Sequence, residues 1–214
     1  MSTKAYLNSF KILNGGPGSG RHPESGESQT HISNASQAYN NLQSLMDSSD
    51  TLPWGSPEYE NVMSQISDEQ DKLAASRVAY LSSKGIDHNV VDAQLKDWSN
   101  GIGPRDPSTG KYIFGEPDLS KNLNTPEIKA EKSFTQSVYK SAGISSIDLY
   151  RGQDAEFGNS IPKGLVSFST SKTSARSFGE VITTKTVPVS SIISSSQLTR
   201  MSSYASENEV IVNV

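Results

Sequence analysis

Tyr204-Ala205-Ser206-Glu207-Asn208-Glu209-Val210-Ile211-Val212-Asn213-Val214 closes the chain, and its reading decides what the rest is for. Two carboxylates, one residue apart, open a run of β-branched residues. Such a run reads as a strand. Side chains alternate across a strand, so Glu207 and Glu209 are expected on one face, with Cα atoms roughly 6.5–7 Å apart. Like charges that close repel. The pair is either a solvated feature of an exposed face or a paired-carboxylate site, and this stretch alone does not separate the two.

Working back from this strand, two further stretches bear on it. Leu149-Tyr150-Arg151-Gly152 reads as a strand end carrying an arginine, and Val166-Ser167-Phe168-Ser169-Thr170-Ser171 as a strand ending in small hydroxyls. The order is Arg, then aromatic-Ser-Thr-Ser, then Glu-x-Glu, over the last third of the chain. In that order the elements resemble the Arg-Ser-Glu class of mono-ADP-ribosyltransferases, NAD-consuming enzymes of bacterial toxins and some phages. The resemblance implies transfer of ADP-ribose from NAD to an arginine of a target protein, with release of nicotinamide. It implies an α+β fold in which N-terminal helices pack on a core of two antiparallel sheets.

The roles that follow are those implied by the resemblance. Glu209 holds the nicotinamide ribose and stabilises its oxocarbenium character, as carboxylates do in glycosyl transfer. Glu207 handles the acceptor, because an arginine side chain is protonated and a poor nucleophile until its proton is drawn off. Arg151 offers a planar fork to a phosphate oxygen. Gly152 lets the ligand approach the backbone. Ser169 holds the catalytic glutamate by hydrogen bond, and Ser171 points the same way on the strand. Phe178 and Arg176, in Thr173-Ser174-Ala175-Arg176-Ser177-Phe178-Gly179, are candidates for stacking on nicotinamide and for meeting the phosphates; Tyr204 is a candidate for acceptor recognition. Each also has a bland reading. Arg151 serves equally as a structural ion pair, Phe178 as core, Tyr204 as a loop tyrosine, and the serines as a polar strand edge.

Composition bounds the rest. The 214 residues suit one domain with a tail, and only 33% are hydrophobic, so the core is expected to be lean. A net charge of −4 argues against a broad nucleic-acid surface. No cysteine is present, which excludes disulfides and thiolate chemistry. No apolar run approaches a membrane span and none near Met1 reads as a signal peptide. His22, His31 and His88 lack metal-ligand spacing, and no metal is expected.

Residues 1–30 read as a disordered Gly/Ser-rich tail. Gly15 to Gly20 mimics a phosphate loop, but Arg21 and His22 stand where Lys and Ser/Thr are needed. The run Gly15-Gly16-Pro17-Gly18-Ser19-Gly20-Arg21 is similar to segments of tailed-phage head proteins, which implies capsid association and a place in the host bacterial cytoplasm or a virion. Residues 31–214 form the expected transferase domain, helical over 31–143 and β-rich over 144–214. Helices are expected from Ser33 (Ala35, Ala38, Tyr39, Leu42, Leu45 and Met46 inward), from Pro57 with Ser56 as cap (Tyr59, Val62, Met63, Ile66, Leu73, Ala74 and Leu81), over about 87–98 (Val91, Leu95 and Trp98), and from Pro126 with Thr125 as cap. Residues 99–124 read as a long loop with a short strand at 112–114. Strands are expected at 147–150, 165–169, 181–189 and 209–214. Two rival functions stand beside transfer to arginine: an NAD glycohydrolase, in which water is the acceptor, and a non-catalytic phage structural protein that retains a transferase-like domain.

Overall fold

The structure, a computed structural model, describes residues 25–101, 125–155, 165–199 and 208–213. Within them the order is α1 (Ser25–Ser49), α2 (Pro57–Ser83), α3 (His88–Gly101), α4 (Pro126–Ser141), β1 (Ser146–Gln153), β2 (Leu165–Ser169), the short α5 (Lys172–Ala175) continued by a 3-10 turn (Arg176–Phe178), β3 (Val181–Pro188), β4 (Ile192–Ser195), the short α6 (Ser196–Thr199) and β5 (Glu209–Asn213). The class is α+β, as expected.

The expected caps are in place. Ser56 accepts a hydrogen bond from the Tyr59 amide and Thr125 from the Ile128 amide, each followed by a proline at the first helical position. Gly85 and Gly143 take positive φ just beyond α2 and α4, where a side chain would be strained. The first helix corrects the expected tail boundary. It begins at Ser25, inside the stretch read as disordered, because its polar first turns are held by α2. Ser28 Oγ lies 3.2 Å from Ser83 Oγ, and Ile32 and Ala35 are buried. Two expected core residues, Met46 and Met63, are exposed. The features expected at 1–24 and 112–114 lie outside the described residues, as does the side chain of Trp98.

All strand pairings are antiparallel, in the order β3-β1-β2-β5-β4. The described strands thus join one five-stranded sheet. Its two halves meet at a narrow seam: β1 pairs along its whole length with β3, but with β2 only through Tyr150 and Ser169. Val166, Phe168, Val210 and Val212 are paired in register and buried, forming the apolar face of β2 and β5.

The helices attach to the sheet through polar groups as well as apolar ones. Arg77 on α2 donates from Nε to Glu131 on α4 at 2.7 Å and from Nη2 to Asp92 on α3 at 2.7 Å, and Ser194 on β4 donates to the other Glu131 oxygen at 2.9 Å. Arg77 is 2% and Glu131 0% exposed. Burial opposes the Arg77 charge, but the two carboxylates outweigh it and hold its pKa above the ordinary guanidinium value. The Tyr139 hydroxyl pairs with Ser195, and burial pushes its pKa up. Gln136 donates to the carbonyls of Ser190 and Ile192, closing the outer edge of β4.

Candidate functional site

Strand β2 is two-faced by alternation. Val166 and Phe168 enter the core, so Ser167 and Ser169 share the opposite face. The register with β5 pairs Ser169 with Glu209 and Ser167 with Ile211, which puts Glu209 on the same face as both serines. There Ser167 Oγ donates to Glu209 Oε1 at 2.6 Å, a short charge-assisted bond.

Arg151 comes to the same place from β1. Beyond the Tyr150–Ser169 pair the β1–β2 ladder stops, which leaves the Ser167 carbonyl without a strand partner from β1. The Arg151 Nη1 donates to that carbonyl at 2.7 Å. Ser167 therefore joins the other two groups, its carbonyl holding the guanidinium and its hydroxyl holding the carboxylate. Arg151, Ser167 and Glu209 are all only partly buried, so the trio borders solvent.

The sequence reading assigned the glutamate's serine to Ser169. Ser169 is directly opposite Glu209 in the ladder, and its Oγ also accepts from the Ser171 amide at 3.0 Å, which organises the turn after β2. Ser171 does not continue the strand. It caps α5, accepting from the Ser174 amide at 3.2 Å, so the expected alternation with Ser169 ends at the strand's last residue. Ser167 was the residue missed. Its signal was the alternation itself, which placed it on the face of Ser169 and Glu209.

Gly152 also differs from expectation. A Cβ there would lie 1.9 Å from the Ala175 carbonyl oxygen and 3.0 Å from the Gly179 amide nitrogen. A Cβ on Gly179 would in turn lie 2.2 Å from the Gln153 carbonyl carbon. The close approach at Gly152 is made by the chain's own α5 and 3-10 turn, and its backbone lies in the ladder opposite Ile182. These two glycines hold the 172–178 segment against the end of β1. That segment carries Arg176, which is exposed, and Phe178, which is 53% exposed and therefore not core.

The described part of the Glu-x-Glu element is its last two residues. Strand β5 starts at Glu209, and Asn208 has φ 51°, the left-handed region. The expectation that Glu207 shares the face of Glu209 falls on a residue outside the described ones. Asn208 is fixed by two bonds: its carbonyl accepts from the Thr170 amide at 3.0 Å, and its side-chain amide donates to Ser174 Oγ at 3.4 Å. Asn tolerates this conformation better than other non-glycine residues. Glu207 and Tyr204 lie outside the described residues.

Elsewhere, a surface depression lined by Lys140, Gly143, Ile144 and Ser190 sits at the far end of β1 from Arg151 and carries none of the candidate residues. Among the described residues no group of three or more His, Asp or Glu side chains is placed to hold a metal, and no helix is long and apolar enough to cross a membrane. No family model, curated protein or solved structure matches the chain.

Proposed function

We propose that the protein is a mono-ADP-ribosyltransferase that takes NAD as substrate and passes ADP-ribose to an arginine of a target protein. The observation that carries this reading is the meeting of Arg151, Ser167 and Glu209 on three adjacent strands, joined through one serine. An arginine and a partly buried carboxylate, both at a solvent-facing strand end, suit a substrate with a diphosphate and a ribose that gains positive charge.

In this reaction the bond between the ribose C1′ and the nicotinamide nitrogen breaks, and its electron pair leaves with neutral nicotinamide. Positive charge develops on the ribose. The Glu209 carboxylate stabilises that charge electrostatically, while Ser167 fixes the carboxylate's rotamer. Arg151 binds a phosphate oxygen and sets the ribose over Glu209. A guanidinium nitrogen of the acceptor then bonds to C1′, and its proton passes to Glu207. Phe178 and Arg176, exposed on the segment held by Gly152 and Gly179, meet the nicotinamide end and the phosphates.

The test pairs nicotinamide release with labelling of an arginine acceptor from labelled NAD. Glu209→Gln is expected to lose both. Glu207→Gln is expected to lose arginine labelling yet keep hydrolysis of NAD. Nicotinamide release by wild type without any arginine labelling would replace transfer by hydrolysis, and absence of both would refute the reading.

A further inference from the structure

At the end of the α1–α2 hairpin Leu45 and Val62 still pack against the core, but only in part. No residue over 43–65 is buried. Two hydrogen bonds fix the hairpin's antiparallel register, Ser28 with Ser83 and Asn41 with Glu69. Continuing that register sets Met46 level with Ser64, one residue from Met63. Trp54, in the connection, caps the same end. Met46 is 37%, Met63 39% and Trp54 87% exposed. Three large apolar side chains thus gather at one end of a helical hairpin, the Trp54 indole open to solvent and the two methionines partly exposed. Around them lie Asp47, Asp50, Glu58 and Glu60, all exposed. The sequence has no Lys or Arg between residues 22 and 71, so nothing basic in this hairpin end offsets that charge. An apolar patch ringed by one sign of charge fits a partner that is apolar and of the opposite sign.

The chain holds one such segment outside the described residues. Residues 4–13 carry Lys4 and Lys11 with Tyr6, Leu7, Phe10, Ile12 and Leu13, and no acid precedes Glu24. At helical spacing Tyr6, Phe10 and Leu13 make one stripe, with both lysines beside it. Residues 14–24 connect this segment to Ser25. Eleven residues span at most about 36–40 Å. The rise along α1 from Ser25 to Met46 is about 32 Å. The connection is long enough. We infer that residues 4–13 dock as a basic amphipathic segment on the acidic, apolar end of the same molecule's α1–α2 hairpin, over Met46, Trp54 and Met63.

Trp54 reports the contact directly. With Trp98→Phe as background, Trp54 is the remaining tryptophan, and circular dichroism checks that the fold is kept. In the full chain its emission is expected to lie to the blue of that in Lys4→Glu/Lys11→Glu. Acrylamide quenching should rise about twofold in that variant as the indole returns from half-covered to open. Raising salt should move the wild type in the same direction, since the charges are screened. A dye-labelled peptide of residues 1–13 should bind the chain lacking residues 1–24, and Trp54→Ser should abolish the binding. Identical Trp54 emission and quenching in the full chain and the charge-reversed variant would overturn the inference. So would peptide binding that ignores Trp54→Ser, or shielding of Trp54 that vanishes on dilution, which would assign the contact to a second copy.

Discussion

Ser167→Ala separates the structural account of the site from the one written by motif. The substitution removes the hydroxyl that donates to Glu209 at 2.6 Å and leaves the backbone carbonyl that receives Arg151. A hydrogen bond to a charged group contributes about 1.5–3 kcal/mol. At about 1.36 kcal/mol per factor of ten, its loss from the transition state lowers turnover roughly 10- to 150-fold. The effect should fall on kcat, because Arg151 keeps its anchor and the KM for NAD depends on the phosphate contact. Ser167→Thr, which keeps the hydroxyl, should recover part of the loss, an outcome that simple damage to packing would not give. Nicotinamide release under saturating and limiting NAD measures both constants. Ser169→Ala is the comparison. It weakens the turn after β2, where Ser169 accepts from the Ser171 amide, at a cost of about 1 kcal/mol to local order. Wild-type kcat in Ser167→Ala, with loss of activity in Ser169→Ala, would refute the assignment and return the role to Ser169.

Two further outcomes test how the site is supported. Gly152→Ala forces a methyl against the backbone of Ala175 and Gly179, and overpacking of this kind costs about 1–3 kcal/mol; thermal denaturation should show the loss and hydrogen exchange should show it concentrated in residues 172–179, and an unshifted midpoint would mean that the interlock is not rigid. Glu131→Gln leaves Arg77 buried with only Asp92 to pair it, and breaking a buried pair costs about 3–5 kcal/mol, the lower end applying while Asp92 stays; the melting temperature should fall by about 6–12 °C in a domain of this size, and a fall under about 2 °C would assign the network little weight.

What could be read in advance followed rules that act over a few residues. The caps at Ser56 and Thr125 and the strands β1, β2, β3 and β5 each rest on a local preference that packing left in place. Strand β4 was missed because half of it is serine. Ser194 and Ser195 are buried there only because Glu131 and Tyr139 on α4 receive them, and partners some 60 residues away leave no mark in a local window. The tail boundary failed for the same reason: the first turns of α1 are polar, and it is α2 that holds them.

At the site the same division decides what the sequence could place. Arg151 and Glu209 sit where strand ends meet, a location the order of strands already suggested. The serine that joins them depends on register, and register is set by how β2 pairs with β5, through Val166 with Val212 and Phe168 with Val210. A shift of one residue would turn both serines into the core and expose Phe168. The burial of those apolar residues therefore fixes the face on which the Ser167 and Ser169 hydroxyls meet Glu209. The same ladder ties the carboxylate to the helices, since β5 also pairs with β4 and β4 is fixed to α4 through Glu131. Arg77, on the buried face of α2, thus bears on the placement of Glu209 through Glu131, β4 and the β5 ladder, without touching the site.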